Sequence, residues 1–382
     1  MLDDAPALLK DKNFLDVLHN EWNKRIVGEV MAREIIFAMC LGGCLCMNAQ
    51  KTSNNLIVNS KSGSGKDYIT TQVLNIIPGK ESKWIKRTRI TKTAFTYWHN
   101  SIIEPNWTWN NKIFYGEDMS SDVINSDVFK VICSGENYST IVKDQKAIEL
   151  KINGKPSIIV TAAKAILEEE LLRRFAVLNL DESKEQDDLI IDFHSKAAMN
   201  EGLLNYDESV MKALDSLRPV SVVIDFANKF GKYFKEMNAN VIVRTNYNRF
   251  IDLIKYSAVL FQHQRFWLDG STIKAEPEDY DRAIEWFTYL FKNPCLLPIT
   301  KDQQKLIQVV WDLKHATVDE IISEVTFAGR TWVYTNLNLL TEKGFLEKTR
   351  IDDELSNSRK KLDSYTATGQ AKIKLPYWVD LE

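Results

Sequence analysis

One run of residues has the make-up of an anion cradle. Leu56-Ile-Val-Asn-Ser60 is a short apolar stretch. Lys61-Ser-Gly-Ser-Gly65-Lys66 follows as a Gly/Ser loop closing on Gly-Lys, and Asp67-Tyr-Ile then opens a helical pattern. This is the layout of a phosphate-binding P-loop, whose backbone N–H groups form a concavity for phosphate oxygens. The helix N-terminus behind such a loop adds positive potential, and the lysine reaches the terminal phosphates. Ser62, Gly63, Ser64, Gly65, Lys66, Asp67 and Tyr68 are therefore the expected nucleotide contacts, with ATP as ligand and Mg²⁺ beside it. Two positions depart from the usual pattern. Ser60 stands where the first glycine is usual, and Asp67 stands where a Ser or Thr hydroxyl usually ligates the metal.

Nucleotide hydrolysis needs a second, acidic element, in which one carboxylate holds Mg²⁺ and another orients the attacking water. Ile113-Phe-Tyr-Gly-Glu117-Asp118 is an apolar strand pattern ending in two carboxylates, downstream of Lys66. Glu117 is assigned to the metal, alongside Asp67, and Asp118 to the water. The usual order is Asp then Glu. Thr161 closes a third apolar run and is placed to contact the γ-phosphate or the water, the sensor 1 role. Leu171-Leu-Arg-Arg174-Phe175 carries two arginines between apolar segments. Such a group, set against a neighbouring subunit's nucleotide, stabilises charge on the transferring phosphoryl group.

These groups need elements to hold them. Residues 8–47 read as helices, with an apolar stripe through Leu15, Val17 and Leu18 and another through Ile35, Ile36, Met39 and Cys40. Leu56–Val58, Lys112–Tyr115 and Pro156–Val160 read as buried strands. Helices are expected over Asp67–Ile77, stopped by Pro78-Gly79, over Ala94–Ile103, and over Ser126–Cys133. Thr140–Ile152 alternates and reads as a hairpin, with a tight-turn signal at Asn153-Gly154. Strands alternating with helices around a phosphate loop predict a parallel α/β core. Beyond Asp181 the pattern is one of long helices, out to about Phe291. In the last segment, helices over Asp302–Lys314, from the capping box Thr317-Val-Asp-Glu320, and over Thr331–Lys343 (ended by Gly344) precede a strand at Phe345–Arg350. That order reads as a winged helix-turn-helix.

The chain resembles AAA+ replicative helicases of the MCM-like and superfamily-3-like type found in phages and plasmids, where the module often forms the C-terminal part of a primase–helicase. Ile26-Val-Gly28 followed by Leu41-Gly-Gly43 resembles the lead-in helix of MCM proteins. Leu171-Leu-Arg-Arg174-Phe175 resembles their arginine-finger segment and puts Arg174 in the finger position. Arg249-Phe-Ile-Asp-Leu-Ile-Lys255, with His263-Gln-Arg265 after it, resembles the lid helix bearing the sensor 2 arginine, with Arg244 as the competitor for Arg249. The hairpin before Thr161 sits where these helicases insert a pore hairpin. The resemblance implies a homo-oligomeric ring, a hexamer, with ATP between subunits. Lys66, Glu117 and Asp118 would come from one subunit and Arg174 from the next, around single-stranded or forked DNA, with a primase or polymerase domain as a further partner. Lys143 and Lys146 would contact the strand first, Lys151 and Lys155 second. The implied division is a helical lead-in over 1–50, an AAA+ core with pore hairpin over 51–185, a helical lid over 186–293 and a winged-helix domain over 294–382.

Composition sets bounds on these readings. The 382 residues are 45% hydrophobic and 26% charged, with formal net charge −3, so any basic nucleic-acid surface is local. No apolar run approaches the ~20 residues that span a bilayer. The start of the chain has no signal-peptide pattern, and a cytoplasmic setting in a bacterial host is expected, for a phage- or plasmid-encoded protein. Cys40, Cys44, Cys46, Cys133 and Cys295 have apolar neighbours and read as core rather than as disulfides or a zinc set. Trp84, Trp98, Trp107 and Trp109 lie among Lys83, Lys86, Arg87 and Arg89, and suit base stacking or, more commonly, a core or subunit interface. In the last segment Arg330, Trp332, Lys343, Lys348 and Arg350 could meet DNA. Two other classes stay open: an ATP-regulated origin-binding protein, and an AAA+ remodeller that does not unwind. The Gly-Ala-Phe-Thr-Gly-Ala loop of transcription activators is absent.

Overall fold

The computed structural model describes residues 7–135, 137–163, 173–199, 205–236, 241–291, 300–342, 345–352, 361–367 and 375–381. Cys295, Lys343 and Gly344, and Leu171-Leu172 of the arginine segment, lie outside them. The chain forms two compact units, one of residues 1–225 with 248–293 and one of 226–247 with 294–382.

The first unit is built on β1 (Asn55–Ser60), β2 (Trp84–Arg87), β3 (Ile113–Gly116), β4 (Asn137–Lys143), β5 (Lys146–Ile152), β6 (Ser157–Ala163) and β7 (Ala176–Leu178). Five of these make one sheet in the order β2-β3-β6-β1-β7, every pairing parallel. The central strands β1 and β3 are buried along their length and β6 from Ser157 to Ala162, with apolar runs at Leu56–Val58, Ile113–Tyr115 and Ile158–Val160, as strands of a parallel sheet are. Register sets Val58 opposite Thr161 and Gly116 opposite Val160, so the carboxyl ends of β1, β3 and β6 converge. Ligands of open parallel sheets sit at that end.

The hairpin extends further back than its alternation suggested. β4 and β5 pair from Asn137↔Ile152 to Lys143↔Lys146. The turn is Asp144-Gln145, with φ of 51° and 61°, the left-handed pair of a two-residue hairpin loop. Asn153-Gly154 instead joins β5 to β6. The helix expected over Ala94–Ile103 stops at Tyr97. The Asn100 side chain takes over there, donating to the Tyr97 carbonyl at 2.9 Å and accepting from the Ile102 and Ile103 amides at 2.9 and 3.1 Å. Such local side-chain bonds compete with helix continuation.

The lead-in helix continues past Gly42-Gly43. Val30–Phe37 runs through a π-helical turn, Ala38–Gly42, to Leu45. A Cβ on Gly42 would lie 2.9 Å from the Tyr256 carbonyl oxygen, so the glycine permits a close approach of two backbones. Cys40, Cys44, Cys46 and Cys133 are buried free thiols, all pushed up in pKa by burial, which agrees with packing rather than reactivity. The region after Asp181 is not purely helical. β8 (Ser221–Val223) and β9 (Thr272–Lys274) form a parallel pair, and Arg265 holds Asp279 with two bonds of 2.6 Å. Among the described residues no helix is long and apolar enough to cross a membrane.

The second unit has its own small core. Phe226 meets Trp378 edge-on at 4.8 Å, and Phe234 meets Tyr247 at 4.9 Å. Helices Lys301–Leu313, Val318–Glu324 and Arg330–Glu342 are followed by β11 (Leu346–Asp352) and β12 (Lys361–Ala367), with β10 (Ala316–Thr317) completing a sheet in the order β10-β12-β11. Thr317 and Glu320 form the expected capping box, and Thr300 with Gln303 forms another.

Candidate functional site

The loop Lys61–Gly65 joins β1 to the helix Lys66–Asn75. Gly63 and Gly65 have φ of 84° and 79°. A Cβ would meet nothing within 4 Å at either position, so the glycines serve the left-handed backbone and not a lack of space. No side chain caps this helix, which leaves its first amides for a ligand. The Ser64 hydroxyl is buried with no hydrogen-bond partner among the described residues. An orphaned hydroxyl and uncapped amides at one glycine-rich turn fit a phosphate. Lys66 is 4% exposed, with Nζ 3.6 Å from Asp67 Oδ2.

Thr161 links three elements. It is fully buried and its hydroxyl donates to Asp67 Oδ1. The Thr161 hydroxyl oxygen in turn accepts the Asp118 amide at 2.9 Å, and the Thr161 carbonyl accepts the Met119 amide at 3.0 Å. Asp118 has φ of 47°, a left-handed backbone uncommon for a residue with a side chain and held here by the Thr161 contact. The helix behind the phosphate loop, β6 and the end of β3 thus meet at one hydroxyl.

Glu117 is not open to solvent alone. Lys86, from β2, lies 2.5 Å from its carboxylate and also reaches the Thr71 hydroxyl at 3.2 Å. Among the described residues no group of three or more His, Cys, Asp or Glu side chains could hold a metal ion. Mg²⁺ keeps several waters and is held through one or two carboxylates beside substrate phosphates. Asp67 would be such a carboxylate: it lies in the first turn of the helix behind the phosphate loop, and Thr161 donates to one of its oxygens. Glu117 would be available to the ion only without its Lys86 contact.

A cavity of about 470 Å³ opens against the loop. Its walls are the Arg25–Val27 segment with Glu29, the loop and Tyr68-Ile69, and Asp181-Glu182 with the helix that follows. Tyr68 donates to the Arg25 carbonyl at 2.8 Å, and Gln186 donates to the Val27 carbonyl at 3.0 Å. Ile26, Val27, Ile69, Ile190 and Phe193 make one part apolar. Two acids that the motif pattern did not mark stand here. Glu182 contacts Ser60 and Lys61, and burial pushes Glu29 up to about 7. Both flank a motif, but neither type nor spacing distinguishes them from surface acids.

The other expected residues fall in different places. Lys143 and Lys146 are exposed on either side of the hairpin turn, and Lys151 lies over the Tyr138 ring at 5.3 Å. Lys155 is no surface contact. It is 8% exposed, and its ammonium donates to the Asn54 and Asn55 side chains at 2.5 and 2.7 Å and to the Pro156 carbonyl at 2.9 Å, with burial lowering its pKa to about 7. Arg174 bonds the Ser134 hydroxyl at 2.8 Å just before β7, at the end of the sheet opposite the phosphate loop. Arg249 is 2% exposed on the helix Val241–Leu260 and is not among the residues lining the cavity. Trp84 and Trp109 are fully buried, and Trp98 and Trp107 pack against the core that holds Trp109. In the second unit Arg330 pairs with Asp319, and Lys348 and Arg350 pair with Asp363.

No curated protein matches this chain. A parallel sheet with a glycine-rich loop at its carboxyl edge, an uncapped helix behind it and a carboxylate–hydroxyl pair beside it is an α/β P-loop NTPase core. A family model described as the MTBMA_p00010 P-loop domain matches residues 1–216, more than half of the chain, and the chain belongs to that family.

Proposed function

We propose that the protein is an ATP-dependent replicative DNA helicase that assembles as a ring, a hexamer, and moves along single-stranded DNA. In this reading the loop and Lys66 hold the phosphates, and the apolar part of the cavity takes the base. Asp67 holds Mg²⁺ with phosphate and water. When bound, the ion draws charge from the phosphates. Thr161 fixes Asp67 and the Asp118 backbone relative to each other, and Asp118 accepts a proton from the attacking water.

The observation that carries the reading is the hairpin. It is inserted between the acidic strand β3 and the sensor strand β6 and presents two lysines at an exposed tip. Paired cations on a projecting two-stranded ribbon suit a phosphate backbone gripped without regard to sequence. The place of Arg174 supports a ring. Asn54 to Ser60 spans roughly 20 Å at about 3.3 Å per residue, so Arg174 is remote from its own chain's phosphate loop, and in this reading it serves a neighbour's site. The C-terminal helices and β-hairpin are read as a winged helix that adds duplex contacts.

ATP hydrolysis with and without single-stranded DNA, together with strand separation on a forked duplex, tests the proposal. DNA should stimulate hydrolysis, and Lys143→Ala/Lys146→Ala should remove most of the stimulation and the unwinding. Sequence-specific duplex binding with no strand separation would replace it with an ATP-regulated origin-binding protein.

A further inference from the structure

We propose that Glu182 is a positioning residue of the phosphate-binding loop, fixing its first turn in the shape that receives the nucleotide. The inference rests on the nucleotide-binding reading of that loop. Ser60 is the last residue of β1 and is buried. Glu182 comes shortly after β7, the strand that pairs with β1 on its other side. Glu182 Oε1 accepts the Ser60 hydroxyl at 2.8 Å and the Lys61 amide at 3.0 Å, and Oε2 meets the Lys61 ammonium at 2.6 Å. Three donors from two consecutive residues converge on one carboxylate.

The consequences pass along the loop. Lys61 is held through its amide and its side chain, and its carbonyl accepts the Ser64 amide at 3.3 Å, which closes the turn containing Gly63. Glu182 is itself tied from behind, because the adjacent Asp181 amide donates to Glu29 Oε1 at 2.7 Å. These contacts favour the ionised carboxylate and bring Glu182 down to about 2, so it stays charged throughout the neutral range. The Lys61 ammonium offsets that charge, so the loop does not present a bare anion to the phosphates. Ser60 then has a reason to replace the usual glycine. A glycine would offer Glu182 no hydroxyl.

Binding of a fluorescent ATP analogue to the full chain, measured for wild type, Ser60→Ala, Glu182→Ala, Glu182→Gln and the Ser60→Ala/Glu182→Ala pair, tests this. Glu182→Ala should weaken binding about tenfold, the loss of a charge-assisted contact of roughly 1.4 kcal/mol. The pair should be at most about twofold weaker than Glu182→Ala alone, because both changes break one contact. Glu182→Gln keeps an acceptor for Ser60 and Lys61 and should recover most of the affinity, which general unfolding would not allow. Unchanged or tighter binding by Glu182→Ala, or fully additive losses in the pair, overturns the proposal. If Glu182→Ala does not fold, Ser60→Ala, expected about threefold weaker, gives the same comparison against Glu182→Gln. Wild type that binds no analogue, or Lys66→Ala that binds it equally well, refutes the nucleotide reading itself. A failure of Glu182 alone leaves that reading standing.

Discussion

Glu29 gives the most quantitative prediction. It opens the lead-in helix Val30–Phe37 with a left-handed backbone, φ 53°, and is 8% exposed on the cavity wall. One carboxyl oxygen accepts the Asp181 amide at 2.7 Å, and the other is buried with no partner among the described residues. Burial raises its pKa from 4.5 to about 7. The Asp181 amide and Arg33 oppose this, and the Asp181 charge adds to it. The folded protein therefore keeps a proton that the unfolded chain releases. The stabilising contribution is complete below pH 4.5 and is lost as pH rises through about 7. At about 1.4 kcal/mol per pH unit the loss reaches about 3 kcal/mol. Glu29→Gln keeps the acceptor for Asp181 and cannot ionise. Urea unfolding of both proteins at pH 5, 6, 7 and 8 should show the variant gaining about 2.5 kcal/mol on wild type across the series, with most of the change between pH 5 and 7. A gap that does not vary with pH would refute the reasoning, because it would mean that Glu29 ionises as freely in the fold as in the unfolded chain.

Two further substitutions test the interior of the site. Thr161→Val keeps the shape but removes the donor to Asp67 and the acceptor for the Asp118 amide; the turnover of ATP should fall at least about tenfold while analogue binding changes little, for a buried amide left unpaired costs about 1–3 kcal/mol. Lys155→Met leaves the Asn54 and Asn55 side-chain oxygens without their shared donor, and chemical denaturation should show a loss of about 2–4 kcal/mol with single-strand affinity unchanged.

The legible parts of this chain are those that local chemistry specifies. The phosphate loop is set by glycines that must take positive φ, and the capping box at Thr317 and Glu320 by two side chains three residues apart. Both need only neighbouring residues. β2 and β7 are four and three residues long, too short to show a period, and they become strands because a sheet is there to receive them. Lys155 looked like its exposed neighbours Lys143 and Lys146. Only the Asn54-Asn55 pair, some hundred positions earlier in the chain, decides that it is buried. The hairpin turn carries no strong local signal, since Asp144-Gln145 takes left-handed backbone under the constraint of the paired strands, whereas the tight-turn signal Asn153-Gly154 serves the connection from β5 to β6.

The departures from the usual phosphate-loop pattern share an explanation. Each irregular residue has a partner on a different element of the sheet: Ser60 has Glu182 beyond β7, Asp67 has Thr161 on β6, and Glu117 has Lys86 on β2. In the Asp67–Thr161 pair a carboxylate sits on the phosphate-loop helix and a hydroxyl on a neighbouring strand, the reverse of the pattern in which that helix supplies the hydroxyl and a strand supplies the acid. A sequence rule broken at one position and matched by a complementary group across the sheet is what a consistent fold requires. A single change back toward the common pattern, such as Ser60→Gly or Asp67→Ser, would therefore strand its partner instead of restoring an ordinary site.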